Sequence, residues 1–137
     1  MLLGGLGRHA AGMFSIILLA TDGSPGAHAA VLSATALAHH NGARIIVVHA
    51  AGAEDTPQGV RDQVSELRRA GIPARLAVVE NGDGAASAIA QMAAAWKVDV
   101  VVTGIRGAGS ALRGAVAGGF VQRLVALSPC PVLAVPG

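Results

Sequence analysis

The chain alternates between short blocks of consecutive apolar residues and longer stretches in which apolar residues recur every third or fourth position. The blocks at 14–20 (FSIILLA), 44–49 (RIIVVH), 72–79 (IPARLAVV), 98–103 (VDVVVT) and 131–135 (PVLAV) are aliphatic, often β-branched, and short. They read as five strands covered on both faces. The stretches between them carry a helical period: Val60, Val64 and Leu67 in one, Ile89, Ala93 and Trp96 in the next, Phe120, Leu124 and Leu127 in the last, each set spaced i, i+4, i+7. A first helix runs from Pro25 to about His40. Ser24 is its expected cap and Pro25 its first helical residue, and Asn41-Gly42 closes it with a left-handed stop. Thr56-Pro57 repeats the cap-and-proline pattern before the second helix, which ends near Ala70-Gly71, and Asp83 is placed to cap the third. Pro73, which has no N–H to give to a ladder, puts the third strand at a sheet edge.

Strand and helix alternate through five strands, which predicts one α/β domain over residues 13–137: an open parallel sheet with right-handed crossovers and helices on both faces. Residues 1–12 (MLLGGLGRHAAG) show no period and precede the first strand, so they are expected to be a disordered extension or a misassigned start. Their apolar run is too short for a signal peptide's core or a membrane span. Gly5, Gly7 and Ala10 fit G-x-G-x-x-A, but a dinucleotide fingerprint follows a strand, and this one precedes it.

Chemistry concentrates after the fourth strand. Glycines at 104, 107, 109, 114, 118 and 119 are too many for a helix interior, so a glycine-rich loop is expected, with a helix opening at Gly118-Gly119. Strand, glycine loop and helix N-terminus together present backbone N–H groups and a partial positive charge, an arrangement that holds phosphate. In open parallel sheets ligands sit at the strands' C-terminal ends where strand order reverses. If the first and fourth strands are neighbours, as in flavodoxin-like orders, Asp22 and the loop face one crevice.

Composition narrows the ligand. The net charge is only +2, but no acidic residue follows Asp99, whereas Arg106, Arg113 and Arg123 do, which favours an anion near the loop over a polyanion surface. With no tyrosine there are few stacking platforms for nucleic acid. The single cysteine, Cys130, between two prolines, reads as a small core residue, and the absence of a possible internal disulfide fits a cytoplasmic protein. His39 and His40 point to different helix faces and make no metal pair, and His49, ending a buried strand, reads as a core histidine with its hydrogen bonds satisfied. Residues 104–109 have Walker spacing, but Ser110 stands where lysine is required. No G-x-S-x-G and no nucleophile-and-base pattern is present, so no catalytic residue and no metal ligand is assigned.

Four segments, ILLATDGS at 17–24, VVHA at 47–50, VVTGIRG at 101–107 and SPCPVLAV at 128–135, in that order, resemble the universal stress protein family over essentially all of residues 13–137. The resemblance implies strand order 3-2-1-4-5, an architecture similar to adenine-nucleotide-hydrolase-like and flavodoxin-like folds, homodimers that pair their last strands, and, in one branch, ATP in the crevice. That branch carries G-x2-G-x9-G-[ST]. Here Gly104 and Gly107 supply the first half, and Gly118 and Gly119 follow with ten intervening residues, so that Gly119 replaces the Ser or Thr whose hydroxyl meets a terminal phosphate. Arg106 or Arg113 is expected to reach the same oxygens. Carried over residue by residue, Asp22 holds the adenosine end with Ala20 and Thr21 beside it, and Ala50 lies against the base. The implied cofactor is ATP, with Mg2+ as its accompanying ion, or another adenine nucleotide. The alternative for Asp22 is that it caps its own turn.

The last strand begins at Pro131, ends at Val135 and carries no charge; as an edge it needs a cover, and a second copy of the chain is the economical one. The expected function is therefore that of a cytoplasmic, homodimeric, ATP-binding stress-response regulator with no nucleic-acid or membrane partner. Two alternatives are a dimeric interaction module that has lost nucleotide binding and a slow ATPase.

Overall fold

The computed structural model describes residues 13–51, 56–105 and 117–137. Five strands form one parallel sheet: β1 (Ile16–Ala20), β2 (Arg44–Ala51), β3 (Ala74–Glu80), β4 (Val100–Gly104) and β5 (Val132–Val135), in the order β3-β2-β1-β4-β5. Between them lie α1 (His28–Asn41), α2 (Gln58–Arg69), α3 (Ala85–Ala95) and α4 (Ala117–Leu127). The N-terminal residues 1–12 and most of the glycine-rich stretch, residues 106–116, fall outside the described part, as do residues 52–55.

The continuous aliphatic blocks are explained by burial on both faces. Alternate residues of the central strands feed two cores. Ile17, Leu19, Ile45, Val47, Val100 and Val102 pack with Val31 and Ala34 of α1 and Val60, Val64 and Leu67 of α2. Leu18, Ala20, Ile46, Val48 and Val101 pack with Ile89 and Ala93 of α3 and Phe120 and Leu124 of α4. Helices α1 and α2 therefore cover one face, α3 and α4 the other. The chain builds outward from β1 through β2 to β3 and then returns past β1 to β4, which puts the reversal of strand order between β1 and β4.

Polar side chains close the N-terminal side of the sheet. Oδ2 of Asp99, the polar exception in its apolar block, accepts hydrogen bonds from the Ser15 and Ile16 N–H groups at 2.8 and 2.9 Å, tying the start of β1 to β4. The Asn41 Oδ1 accepts from the Phe14 N–H at 3.2 Å, joining the end of α1 to the same entry point. Gly42 adopts φ 65°, the expected left-handed stop, and its N–H is bonded to the Ala38 carbonyl. The third strand is an edge strand, with Pro73 just before it.

Helix starts differ from expectation. Pro25 is the first residue of a short 3-10 turn, Pro25–Ala27, with α1 beginning only at His28, and Ser24 makes no side-chain capping bond. Pro57, not Thr56, is the N-cap of α2, its carbonyl accepting from Val60 and Arg61 N–H groups. At α3 the cap is Gly84, at φ 109°, rather than Asp83. In each case a backbone carbonyl or glycine geometry starts the helix, and side-chain capping, which the sequence pattern assumes, is not used.

Candidate functional site

The register of the sheet brings the expected site residues to one edge. Ala20 is paired with Val48 on one side and Thr103 on the other. Asp22 follows two residues later, Ala50 lies two beyond Val48, and Gly104 is the last residue of β4. These positions occupy the C-terminal ends of β2, β1 and β4, three neighbouring strands, at the reversal of strand order. Strand alternation puts Ala20, Val48 and Ala50 on the face covered by α3 and α4. A helix that follows a parallel strand begins at that strand's C-terminal edge, so the first turn of α4, with Gly118 and Gly119, belongs to this edge also. The first N–H groups of a helix have no partner within it, and they carry the positive end of its dipole. Arg106, Gly107 and Arg113 lie outside the described residues.

Asp22 is half-buried, and its Oδ1 accepts a hydrogen bond from the Ser24 N–H at 2.9 Å. The turn-capping role is thus present. Gly23 adopts φ 79° and lies against the first turn of α2: a Cβ there would stand 2.5 Å from the Val60 nitrogen, and a Cβ on Gly59 would overlap the Gly23 carbonyl oxygen. Only two facing glycines permit this approach. Thr21, 5% exposed, extends the β1–β2 ladder by donating its N–H to the Val48 carbonyl, and its hydroxyl donates to Oε1 of Gln63 at 2.7 Å.

Gln63 is the residue that pattern reading passes over. It lies on the buried stripe of α2, three residues after Val60 and one before Val64, and is 6% exposed. A polar side chain at an apolar-stripe position is a signal legible without a structure.

His49 departs from expectation in a different way. It is 7% exposed, and Nε2 is buried with no hydrogen-bond partner among the described residues. It alternates with Ile45 and Val47 and so faces the α1 and α2 side, away from the face that carries Ala20 and Ala50. Cys130 is half-buried against the core beneath α3 and α4, its N–H and carbonyl both bonded to the Ser128 hydroxyl. Among the described residues no group of three His, Cys, Asp or Glu side chains could hold a metal ion, and no helix is long and apolar enough to cross a membrane. A recess of about 300 Å³ lined by Arg44, Ile45, Arg68, Pro73, Ala74 and Arg75 lies at the opposite, N-terminal edge of β2 and β3.

Comparison with known proteins agrees with the fold. A relative from Thermus aquaticus, described as a universal stress protein in the QAH/OAS sulfhydrylase 3' region, is 39% identical over 140 aligned positions, covering 90% of this chain and 99% of the relative. A solved universal stress protein in complex with cAMP superposes with a TM-score of 0.75 at 21% identity, over 90% of this chain and 97% of that one. The Archaeoglobus fulgidus universal stress protein in complex with dAMP gives 0.70 at 18% identity, over 89% and 97%. The model of the universal stress protein family matches residues 13–136. By sequence and by fold, this chain belongs to the universal stress protein family.

Proposed function

We propose that this protein is an adenine-nucleotide-binding stress-response regulator that holds ATP at the C-terminal edge of β2, β1 and β4 and has no catalytic machinery of its own. The observation that carries the reading is the convergence of the Asp22 loop, Ala50, Gly104 and the first turn of α4 on the β1/β4 reversal point. Ala20 and Ala50, small residues at adjacent strand ends on one face, leave a low floor on which a planar base can lie. Asp22 is the acceptor for the adenosine end. The Gly118 and Gly119 N–H groups are donors to phosphate, and Arg106 or Arg113, cations in the same stretch of sequence, supplies a further donor in place of the missing hydroxyl. The cAMP and dAMP complexes of the two solved relatives support adenine as the base. Mg2+ accompanies the phosphates; no protein ligand for it is assigned.

Denaturing the purified protein and identifying released small molecules, followed by calorimetric titration with ATP, AMP and cAMP, tests the reading. Binding of an adenine nucleotide, weakened at least tenfold by Asp22→Ala, is expected. No released nucleotide and no heat at millimolar ATP would sink it. A second reading, a dimeric interaction module without a nucleotide, is favoured by one specific observation: Gly119 brings no hydroxyl to the position where the family motif has one.

A further inference from the structure

The loop that carries Asp22 rests on helix α2, and one side chain makes the polar part of that support. Gln63 shares its buried stripe with Val60, Val64 and Leu67, which supply the apolar packing of α2 without it. An amide at such a position loses its water and is tolerated only where both ends find partners. Both partners here belong to one short loop. The Gln63 Oε1 accepts from the Thr21 hydroxyl at 2.7 Å, and its Nε2 donates to the Ser24 carbonyl at 3.4 Å. Because the Thr21 proton is directed to Gln63, the lone pairs of the Thr21 hydroxyl are turned to accept the Gly23 N–H, at 3.0 Å. Asp22 lies inside this bracket, with its Oδ1 on the Ser24 N–H. The close Gly23–Gly59 backbone contact sets how near the loop approaches α2. Gln63 sets the hydroxyl rotor and the two loop ends.

We infer that Gln63 is a positioning residue for the nucleotide site: through the Thr21 hydroxyl and the Ser24 carbonyl it holds the Asp22 loop in its binding conformation, so that the affinity of the site is set through α2. The inference rests on the reading of residues 20–22 as the adenosine side of that site. It makes α2, whose outer face carries the exposed Arg61, Asp62, Ser65, Arg68 and Arg69, the element through which a contact on the surface would alter nucleotide affinity.

The test uses the full chain and four variants. Gln63→Leu and Thr21→Val each remove the buried bond at nearly constant volume, Thr21→Ser keeps it, and Val64→Ala loosens the packing of α2 without touching the bracket. Two quantities are read: hydrogen exchange at the Gly23 and Ser24 amides in nucleotide-free protein, and the Kd for ATP and AMP by calorimetry. Gln63→Leu and Thr21→Val are expected to accelerate exchange at both amides roughly tenfold and to raise Kd by about the same factor. Thr21→Ser should keep the slow exchange at both amides, and Val64→Ala should stay within about twofold of the unmodified protein in both quantities. Unchanged exchange in Gln63→Leu and Thr21→Val overturns the positioning role and leaves the nucleotide reading standing. Val64→Ala reproducing their effects at an equal loss of Tm also overturns it, since the role is then merely structural. No binding heat from the unmodified protein overturns the nucleotide reading, and the ligand half of this inference with it, even where exchange responds.

Discussion

Gly23 and Gly42 both have positive φ, at 79° and 65°, yet their surroundings differ. Nothing lies within 4 Å of a Cβ built on Gly42, whereas one on Gly23 would press into the Val60 nitrogen and the Gly59 carbonyl carbon. Gly42→Ala is expected to cost about 1 kcal/mol, the ordinary left-handed penalty, and Gly23→Ala about 2–4 kcal/mol because overlap adds to it; urea denaturation of both variants measures the difference. Gly119 offers the opposite experiment. A Cβ there meets nothing within 4 Å, so Gly119→Ser fits, removes a helix-breaking residue and restores a hydroxyl beside the proposed phosphate position. On the nucleotide reading it tightens ATP about tenfold, the size of one hydrogen bond to a charged group. AMP, which lacks the terminal phosphates, should gain much less, and equal gains for the two ligands in calorimetry would show that the hydroxyl acts elsewhere.

At the scale of elements, the apolar blocks and periodic stripes were sufficient to locate every strand and helix among the described residues, with boundaries displaced by a few positions. Sequence patterns assign side-chain caps to Ser24, Thr56 and Asp83, whereas the chain starts these helices on the Ser24 and Pro57 carbonyls and at Gly84, a choice that local pattern does not show. Asp99 shows the same thing in reverse. In the sequence it interrupts an apolar run; in the fold it anchors β1 to β4 with two hydrogen bonds. Asp99→Ala is expected to lower stability by about 1–3 kcal/mol, measured by thermal or urea unfolding, since it strips an acceptor from two strand-entry N–H groups at once.

At the scale of the whole molecule, β5 forms the outer edge of the sheet, pairing only with β4, and Leu133 on it is 42% exposed. It is short and uncharged, and among the described strands only β4 pairs with it, so it has the character of an edge that adds a strand from another chain. On the reading of a homodimer paired through this edge, the unmodified protein sediments as a dimer and Leu133→Lys as a monomer with an unchanged circular dichroism spectrum. A monomer at every concentration in the unmodified protein removes the edge-pairing reading. The other edge, β3, carries Arg75 and Glu80, charges that discourage strand addition.

The sequence by itself determined the fold class and the family and supplied the candidate site residues, because buried strands leave continuous aliphatic blocks and because Asp22 and the glycines sit in short contiguous segments. It also placed β3 at an edge through Pro73. The family resemblance implied, through the order 3-2-1-4-5, that β1 and β4 are neighbours; the tertiary structure shows it, and so brings Asp22 and Gly104 to one edge of the sheet across some eighty residues of chain. Only the tertiary structure revealed the Gly23–Gly59 contact, the Nε2 of His49 without a partner among the described residues, and the bracket made by Gln63. Those depend on which groups meet once the chain has folded and α2 lies against residues 21–24, and no local period or spacing encodes such a meeting.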